Sequence, residues 1–594
     1  MIKYDVRLAN LDQHLFEVRC QISDPGKEQL FSMPSWIPGS YVLREFARHV
    51  VSISAENEQG PVEIKKLSKS IWECKNSGSL LTVAIKVFAF DLSVRGAFLD
   101  GERGFFNGTC LFLSPKGKEK DPVIVRLQRP EDSRCKNWQV ATAMNTVEVD
   151  DAGFGTYRAT DYAELIDHPV EISKYSDIFF VAAKTPHRLV IAGRHRTEPK
   201  RIAEDLKSLC EAHIDFFGGP PPFANYLFLG LAVGRGYGGL EHGSSSSLIF
   251  SRDDLPKNGD ISRSIGYQRF LSLCSHEYFH AWNIKRIKPK VFAPYQLDRR
   301  VHTRLMWVFE GITSYYQDLM LLRSKLITPK EYLVRLGQLL TRVYRSPGRF
   351  KQSLTDSSFD AWDKLYKPNA NSANSTISYY SKGALVALML DLTLRKESTT
   401  TLDQIMRVLW ERFGQSEQGI EEDGFEILVQ ELSGLNLSAF FDLALRGTED
   451  LPLVDLLREV AIDMQFRQSL YDDVSGLPEK ETIPRLDLGI RAQSTPKGLK
   501  LTEVLHNGPC EQAGLSPGDL LIALDGLQVD QSSLPSRLEQ FDAGETVSAV
   551  VFRDDQLREF KVTLAEAKRD TCVLSLNDSS DKKALRLRKA WLGK

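Results

Sequence analysis

Two histidines stand four residues apart in a long apolar segment near the middle of the chain. His276 and His280 enclose Glu277 in residues 264–289, SIGYQRFLSLCSHEYFHAWNIKRIKP. The segment has a helical pattern, and positions i and i+4 share one helix face, so both imidazoles can reach one cation. Zn²⁺ suits nitrogen ligands, and Glu277 is placed to take a proton from water that the metal activates. The alternative is an amphipathic helix with two incidental histidines, because short motifs also arise by chance.

A catalytic zinc keeps three protein ligands and one open position, so a third ligand is expected downstream. Glu310 is a lone carboxylate in the apolar segment 305–321, LMWVFEGITSYYQDLML, where an unpaired charge is costly to bury. Coordination to a dication removes that cost, although pairing with a buried Arg or Lys would also do so. We therefore predict that His276, His280 and Glu310 bind zinc.

A carboxylate follows a predicted strand over residues 226–233. Gly238, Gly239 and Glu241 belong to the sequence GGLEH, and a carboxylate beside the metal can bind the free α-ammonium of a peptide. That contact would favour cleavage at the N-terminus, although a Glu that ends a strand is usually solvated. Residues 234–239 also match G-x-G-x-x-G, but no helix start follows, which disfavours a dinucleotide site. The serines at 244–247 lack the G-x-S-x-G elbow, which disfavours a serine hydrolase.

Two tyrosines precede another predicted helix. A tyrosine hydroxyl near the metal can donate a hydrogen bond to an oxyanion, and Tyr379 and Tyr380 are the candidates for this role. An aromatic packed at the start of a helix is the alternative.

The pattern of apolar residues changes along the chain from strands to helices, which indicates a multidomain α+β fold. Residues 1–165 alternate in short strands and predict a β-sandwich-like domain. Within it, the turn 36–41 is either a packed loop or a loop that faces substrate from the neighbouring domain. Residues 166–475 predict a catalytic domain, residues 484–570 a third domain and residues 571–594 a tail. The main predicted helices are 200–217, 262–287, 302–325, 329–345, 379–396, 401–414, 421–433 and a short one within 581–594, with 346–377 as a polar loop.

Charge and cysteine content exclude several classes of protein. The chain has 594 residues with 76 Lys and Arg against 78 Asp and Glu, which disfavours a nucleic-acid partner. No run of 18 apolar residues predicts a membrane span, and the first residues do not have the pattern of a secretory signal. Eight cysteines without close pairs are typical of reduced thiols, so we expect a cytoplasmic protein.

The segments HEYFHAWNIKR, FEGITSYY, GGLEH and YYSKG together resemble the glycyl aminopeptidase family, PDZ-containing gluzincin metallopeptidases related to aminopeptidase N. The resemblance implies a thermolysin-like, mostly helical zinc peptidase domain. It implies His276, His280 and Glu310 as zinc ligands. It also implies Glu277 as general base.

The remaining motifs depart from those of the relatives in part. Aminopeptidase N relatives carry G-x-M-E-N where this chain has GGLEH. The resemblance implies that Glu241 binds the substrate amine, whereas His242 replaces the Asn of that motif. Where they carry Y-E-K-G, Tyr380 inherits oxyanion stabilisation and Ser381 departs, with Tyr379 a competing choice. Ser314 stands where an acidic residue often orients a histidine, so the partners of the zinc ligands are left open.

The third domain resembles a PDZ domain. Leu488, Gly489 and Ile490 resemble its carboxylate-binding loop, and GLSPGDLLIALDG resembles its following turn and strand. In that fold a peptide adds to a sheet as an extra strand, with its C-terminal carboxylate on main-chain N–H groups. The domain either binds such a C-terminal peptide or serves only as a structural module.

We therefore predict a zinc aminopeptidase that acts on peptides. The resemblance implies a preference for small N-terminal residues such as Gly or Ala. The alternatives are a PDZ-assisted zinc endopeptidase in protein quality control and a non-catalytic PDZ scaffold that binds peptides.

Overall fold

The computed structural model of the chain describes residues 1–260, 262–468 and 486–593. The chain divides into two compact units, Met1–Val301 with Met406–Ile420, and His302–Ile405 with Glu421–Lys594. The predicted domain boundaries at 475 and 484 lie outside the described residues.

The first unit begins with three β-sheets. The β-rich character predicted for residues 1–165 as a β-sandwich-like domain is confirmed. The largest sheet has eight strands in the order Asn145–Val149, Gly155–Ala159, Val123–Leu127, Ile2–Asn10, Leu15–Ser23, Leu80–Phe88, Val50–Asn57 and Gly60–Val62. A second sheet has the order Gln139–Ala141, Val170–Ser173, Arg103–Phe106 and Ala97–Leu99. A third has the order Ser114–Pro115, Glu28–Ser32, Ile71–Lys75 and Ile64–Lys66. The helical elements of this region are short: Phe46–His49, Gly108–Leu111, Ser133–Cys135 and Tyr162–Ile166.

One hydrophobic core joins these three sheets. Val18 of the large sheet, Phe31 of the third sheet and Ile172 of the second sheet belong to the same buried cluster. Every second residue of Leu15–Ser23 is buried, which is the pattern of a strand with one face on a core.

The first unit continues with a five-stranded mixed sheet and helices. The strand order is Ser176–Ala182, Thr185–Ala192, Tyr226–Val233, Ser245–Ser251 and Tyr237–Glu241. Tyr237–Glu241, hereafter the edge strand, is therefore the last strand of this sheet. The helical elements are Pro199–Phe216, Arg252–Asp254, Ile265–Phe279, Lys290–Phe292 and Trp410–Gly414.

The helix Ile265–Phe279, hereafter the metal-site helix, is shorter than the predicted 262–287. Ser264 caps its N-terminus by accepting a hydrogen bond from the N–H of Tyr267 at 3.1 Å. After Phe279 the chain turns, and Ile284 adopts a positive φ of 98° that no helix contains. The prediction of its C-terminal end was wrong because the turn has the same apolar composition as the helix.

The second unit is mainly helical before the third domain. Its helices are Trp307–Gly311, Ile312–Arg323, Pro329–Tyr344, Pro347–Phe350, Leu354–Phe359, Ser372–Ser375, Ser381–Glu397, Leu402–Leu409 (continuing into the first unit), Gly424–Ser433, Ser438–Phe441, Asp442–Arg446 and Leu453–Glu459. The predicted loop 346–377 is wrong in part, because it holds three short helical segments. One of them starts at Ser353, whose side chain accepts the N–H of Asp356.

The third domain has the predicted strands and a short helix. Five strands run in the order Ile490–Thr495, Gly498–Val504, Leu520–Leu524, Thr546–Arg553 and Gln556–Thr563, with Leu527–Gln528 beside Leu520–Leu524. Two further sheets have two strands each, Ile462–Gln468 with Arg569–Leu576 and Leu486–Asp487 with Ala565–Glu566. The helices are Pro509–Gln512 and Leu534–Leu538. The multidomain α+β fold is confirmed.

The tail forms the predicted helix, Lys582–Leu592, and packs on the helical part of the second unit. Trp591 is buried and donates a hydrogen bond from Nε1 to the hydroxyl of Tyr315 at 2.9 Å. Among the described residues, no helix combines the length and the hydropathy that a membrane crossing requires.

Candidate active site

His276 in the last turn of the metal-site helix and His280, which caps the C-terminus of that helix, lie side by side. The ring centroids of His276 and His280 lie 4.6 Å apart with an interplanar angle of 86°. His280 is buried, and its Nδ1 lies 2.8 Å from the carbonyl oxygen of Asn283. A carbonyl only accepts, so Nδ1 carries the proton and Nε2 of His280 keeps a lone pair for a cation.

Two further histidines hold the back of this helix, and sequence reasoning missed both. The hydroxyl of Tyr278 donates to Nε2 of His187 at 2.8 Å, and Ser275 hydrogen-bonds Nε2 of His213 at 2.9 Å. Burial lowers the pKa of His187 to about 4 and that of His213 to about 3, so both are neutral at neutral pH. Neutral, buried partners fix the helix without placing positive charge behind the site.

The edge strand runs directly past the proposed general base. A Cβ added to Gly239 would overlap the carboxylate of Glu277. Ligand atoms of Glu241, Glu277 and His280 all lie within 4.8 Å of one another. Gly238 and Gly239, both predicted to bind substrate, differ in the space around them. A Cβ on Gly238 would meet no atom closer than 3.5 Å.

The turn 36–41 from the N-terminal sheets covers Glu241. A Cβ on Gly39 would lie 2.5–2.7 Å from the carboxylate of Glu241, and Gly39 has φ +90°, a backbone conformation that glycine tolerates best. Trp36 is fully buried and donates from Nε1 to the carbonyl oxygen of Gln296 at 2.8 Å. The turn is therefore packed, and it also forms one wall of the candidate site.

Glu241 itself is buried at the end of the edge strand. It is 4% exposed, and its Oε1 has no hydrogen-bond partner in the described part of the chain. A buried carboxylate oxygen without a donor is costly unless a ligand supplies one.

His242, the residue after Glu241, contacts Asp167, which also binds Lys285. The sequence did not indicate either contact. Asp167 Oδ1 lies 3.2 Å from Nδ1 of His242 and accepts from Nζ of Lys285 at 2.6 Å. Although burial raises the pKa of Asp167, Lys285 and His242 outweigh it and hold that pKa well below its usual range. Asp167 Oδ2 also accepts the N–H of Gly243 at 2.8 Å, which fixes the turn after Glu241.

In the second unit, Glu310 and Tyr380 come from two helices that touch through glycines. Glu310 is 2% exposed within the π-helix Trp307–Gly311. A Cβ on Gly311 would lie 2.7 Å from Cα of Gly383, and one on Gly383 would lie 3.0 Å from Cα of Gly311. These glycines, present in FEGITSYY and YYSKG, let the two backbones approach closely.

The two candidate tyrosines have different surroundings. Tyr379 is fully buried, whereas Tyr380 is half-buried and its hydroxyl lies 2.7 Å from that of Tyr366. Burial, followed by the charge of Glu310, raises the pKa of Tyr380 well above its usual value, so its hydroxyl keeps its proton and can donate. Tyr366, in the predicted loop, was not indicated by the sequence.

The predicted carboxylate-binding loop of the third domain already contains a carboxylate. The N–H of Gly489 donates to Oδ1 of Asp487 at 2.9 Å, and Gly489 has φ +67°. Leu488 and Ile490 are buried in the core of this domain. The strand Ile490–Thr495 is the first in its sheet, so its outer edge pairs with no described strand.

Three family descriptions match successive parts of the chain. The Peptidase M61 N-terminal domain matches residues 3–174, the M61 glycyl aminopeptidase family matches residues 269–386 and the PDZ domain matches residues 486–564.

Among solved structures, an aminopeptidase N family protein from Idiomarina loihiensis is 39% identical and has a TM-score of 0.96, with 100% of both chains covered. Two curated proteins match shorter stretches. Serine protease Do-like HtrB from Bacillus subtilis (strain 168) is 26% identical over 154 residues, which are 25% of this chain and 29% of its own. A probable periplasmic serine endoprotease DegP-like from Marinomonas sp. (strain MWYL1) is 34% identical over 79 residues, 13% of this chain and 17% of its own.

This chain spans less than a third of the length of those two curated relatives. The likeness to the Idiomarina protein, in contrast, extends over the whole of both chains, and the family matches follow the predicted order of domains. The predicted family is confirmed: the chain belongs to the M61 glycyl aminopeptidase family and carries a C-terminal PDZ domain.

Proposed function

We propose that this protein is a zinc-dependent aminopeptidase that removes N-terminal residues from peptides. The observation that carries the proposal is the buried Oε1 of Glu241, which has no hydrogen-bond donor in the described chain and lies beside Glu277 and His280. A substrate ammonium supplies the missing donor. The preference for small residues, Gly or Ala, follows from the family name and is part of the proposal.

The chemistry of the side chains fits zinc. We propose His276, His280 and Glu310 as a first set of three ligands for one metal ion. Within the first unit, Glu241, Glu277 and His280 form a second set, whose ligand atoms lie within 4.8 Å of one another. The first set offers two imidazoles, and the proton of His280 is already fixed on Nδ1. The second set would consume both Glu277 and Glu241, leaving neither base nor ammonium partner. When bound by the first set, zinc would supply a Lewis acid for the scissile carbonyl and for water.

The protein groups divide the remaining work. Glu241 accepts hydrogen bonds from the α-ammonium and places the first carbonyl of the peptide. Glu277 takes a proton from the attacking water and delivers it to the leaving amine. The hydroxyl of Tyr380, rather than that of the fully buried Tyr379, donates a hydrogen bond to the developing oxyanion.

The third domain and the location of the protein are also proposals. We propose that a peptide adds as a strand to the open edge of Ile490–Thr495, the mode that PDZ domains use. The free thiols of all eight cysteines support a cytoplasmic location.

Changing Glu241 tests the amine-binding role. Glu241→Gln removes the negative charge that would bind the α-ammonium. We expect kcat/KM for alanyl-p-nitroanilide to fall by about 10–100-fold, because that is the contribution of one hydrogen bond to a charged group. The wild type should not cleave the N-acetylated substrate. Cleavage of free and acetylated substrates at similar rates would instead favour the PDZ-assisted endopeptidase, and absence of any zinc-dependent cleavage would favour the scaffold.

A matched pair of glycine changes tests the position of Glu277. Gly239→Ala forces the carboxylate of Glu277 to move, and a misplacement of about 1 Å costs on the order of 100-fold in rate. Gly238→Ala adds the same methyl group next to it in ordinary contact, so kcat should change by less than about threefold. Initial rates of both variants measure this difference. Equal losses of kcat in the two variants would show that Gly239 does not position Glu277.

A further inference from the structure

The edge strand presents main-chain groups that a substrate can reach. The N–H of His242 donates to the carbonyl of Ser245 at 2.9 Å, and the register continues with Leu240 opposite Ser247. In an antiparallel pair of strands, hydrogen-bonded residue pairs alternate with pairs that are not hydrogen-bonded. His242 and Leu240 are in hydrogen-bonded pairs, so the main-chain N–H and C=O groups of Gly239 and Glu241 point away from the sheet. An extended peptide can pair with such an open edge.

An arginine from the N-terminal sheets occupies part of that edge. Nη2 of Arg95 donates to the carbonyl oxygen of Gly239 at 3.0 Å. A Cβ on Gly238 would lie 3.7 Å from Nη1 of the same guanidinium. Arg95 is half-buried and forms no ion pair with any residue that the structure describes. Its guanidinium thus lies beside the edge strand without a carboxylate of the described residues at ion-pair distance.

The spacing along the strand matches a short peptide. Gly239 is two residues from Glu241, about 7 Å at 3.4 Å per residue. Glu277 lies against Gly239 and marks where the reacting carbonyl must lie. A peptide whose ammonium lies on Glu241 therefore passes Glu277 with its first carbonyl and reaches Arg95 with its second or third residue.

We propose that Arg95 is a specificity-determining residue that binds the C-terminal carboxylate of dipeptides and tripeptides. This inference rests on the proposed aminopeptidase function. A guanidinium donates two parallel hydrogen bonds to a carboxylate, which makes this pair both strong and directional. This pairing favours short peptides with a free carboxylate.

The test compares Ala-Ala with Ala-Ala-amide, which differ only in the terminal carboxylate. We expect the wild type to hydrolyse the acid with a kcat/KM about tenfold or more above that of the amide, a ratio set by one charged pair. Arg95→Gln should lower the value for the acid by a similar factor and leave the amide within about twofold, so that the preference disappears. Arg95→Lys keeps the positive charge but cannot donate the two parallel hydrogen bonds of a guanidinium. It should therefore retain part of the preference that Arg95→Gln loses.

Arg126→Gln is the matched control, because Arg126 is exposed on the strand Val123–Leu127 of the N-terminal sheets and its side chain makes no hydrogen bond or ion pair with other described residues. It should leave both rates and the melting temperature unchanged. Equal rates for acid and amide in the wild type would overturn the inference while leaving the aminopeptidase intact. An equal loss on both substrates in Arg95→Gln would do the same, because it indicates a structural role. Absence of cleavage of either substrate by the zinc-loaded wild type overturns the proposed function and this inference with it.

Discussion

Glu277→Gln is expected to reduce peptide hydrolysis by about 10²–10⁴-fold, the usual contribution of a general base. Glutamine keeps the size of the side chain beside Gly239 but cannot accept a proton from water. The loss should therefore appear in kcat, with zinc content unchanged. Initial rates and elemental analysis of the purified variant measure the two quantities.

Glu204→Gln makes the same change of charge on the exposed side of the helix Pro199–Phe216 and serves as the control. It should behave as the wild type. Near-normal turnover by Glu277→Gln would reject Glu277 as the base and would leave the mechanism without a proton acceptor.

The second large effect is expected at the proposed third ligand. Glu310→Gln replaces an anionic ligand by a neutral amide in a buried position. Zinc affinity should fall by at least about 100-fold, because loss of a residue that only hydrogen-bonds a metal ligand already costs about 10–100-fold. Zinc should raise the melting temperature of the wild type, because a ligand that binds the folded state stabilises it, and should not raise that of the variant. Titration with a competing chelator and thermal melting measure these effects.

Glu539→Gln, on an exposed position in the third domain, is the control for the change of charge. A Glu310→Gln variant that retains stoichiometric zinc with wild-type affinity would contradict the proposed ligand set, whatever its activity.

Local patterns could be predicted from the sequence with good precision. The predicted helix 329–345 is observed as Pro329–Tyr344, and Thr328 and Glu331 form a capping box at its start. The metal-site helix and its paired histidines follow from i, i+4 spacing, which is a property of a single turn. The pattern fails at Phe279, where an equally apolar segment turns instead of continuing.

Contacts between distant parts of the chain could not be predicted in this way. Gly39 and Arg95 reach the edge strand from the N-terminal sheets, and no periodicity links them to Glu241 or Gly239. The glycines at 311 and 383 carried a signal in their motifs, but their meaning, close approach of two helices, appears only when both helices are packed. Tertiary packing therefore completes the candidate site around two proposed ligands that are local in sequence.

Zinc K-edge X-ray absorption of the purified protein, combined with its zinc content, tests the ligand set most directly. The proposed set predicts one zinc per chain, a first shell of nitrogen and oxygen with two imidazoles and no sulfur, and loss of one imidazole signal in His280→Ala. A chain that binds no stoichiometric zinc, or a first shell containing sulfur from a cysteine such as Cys274, would contradict it.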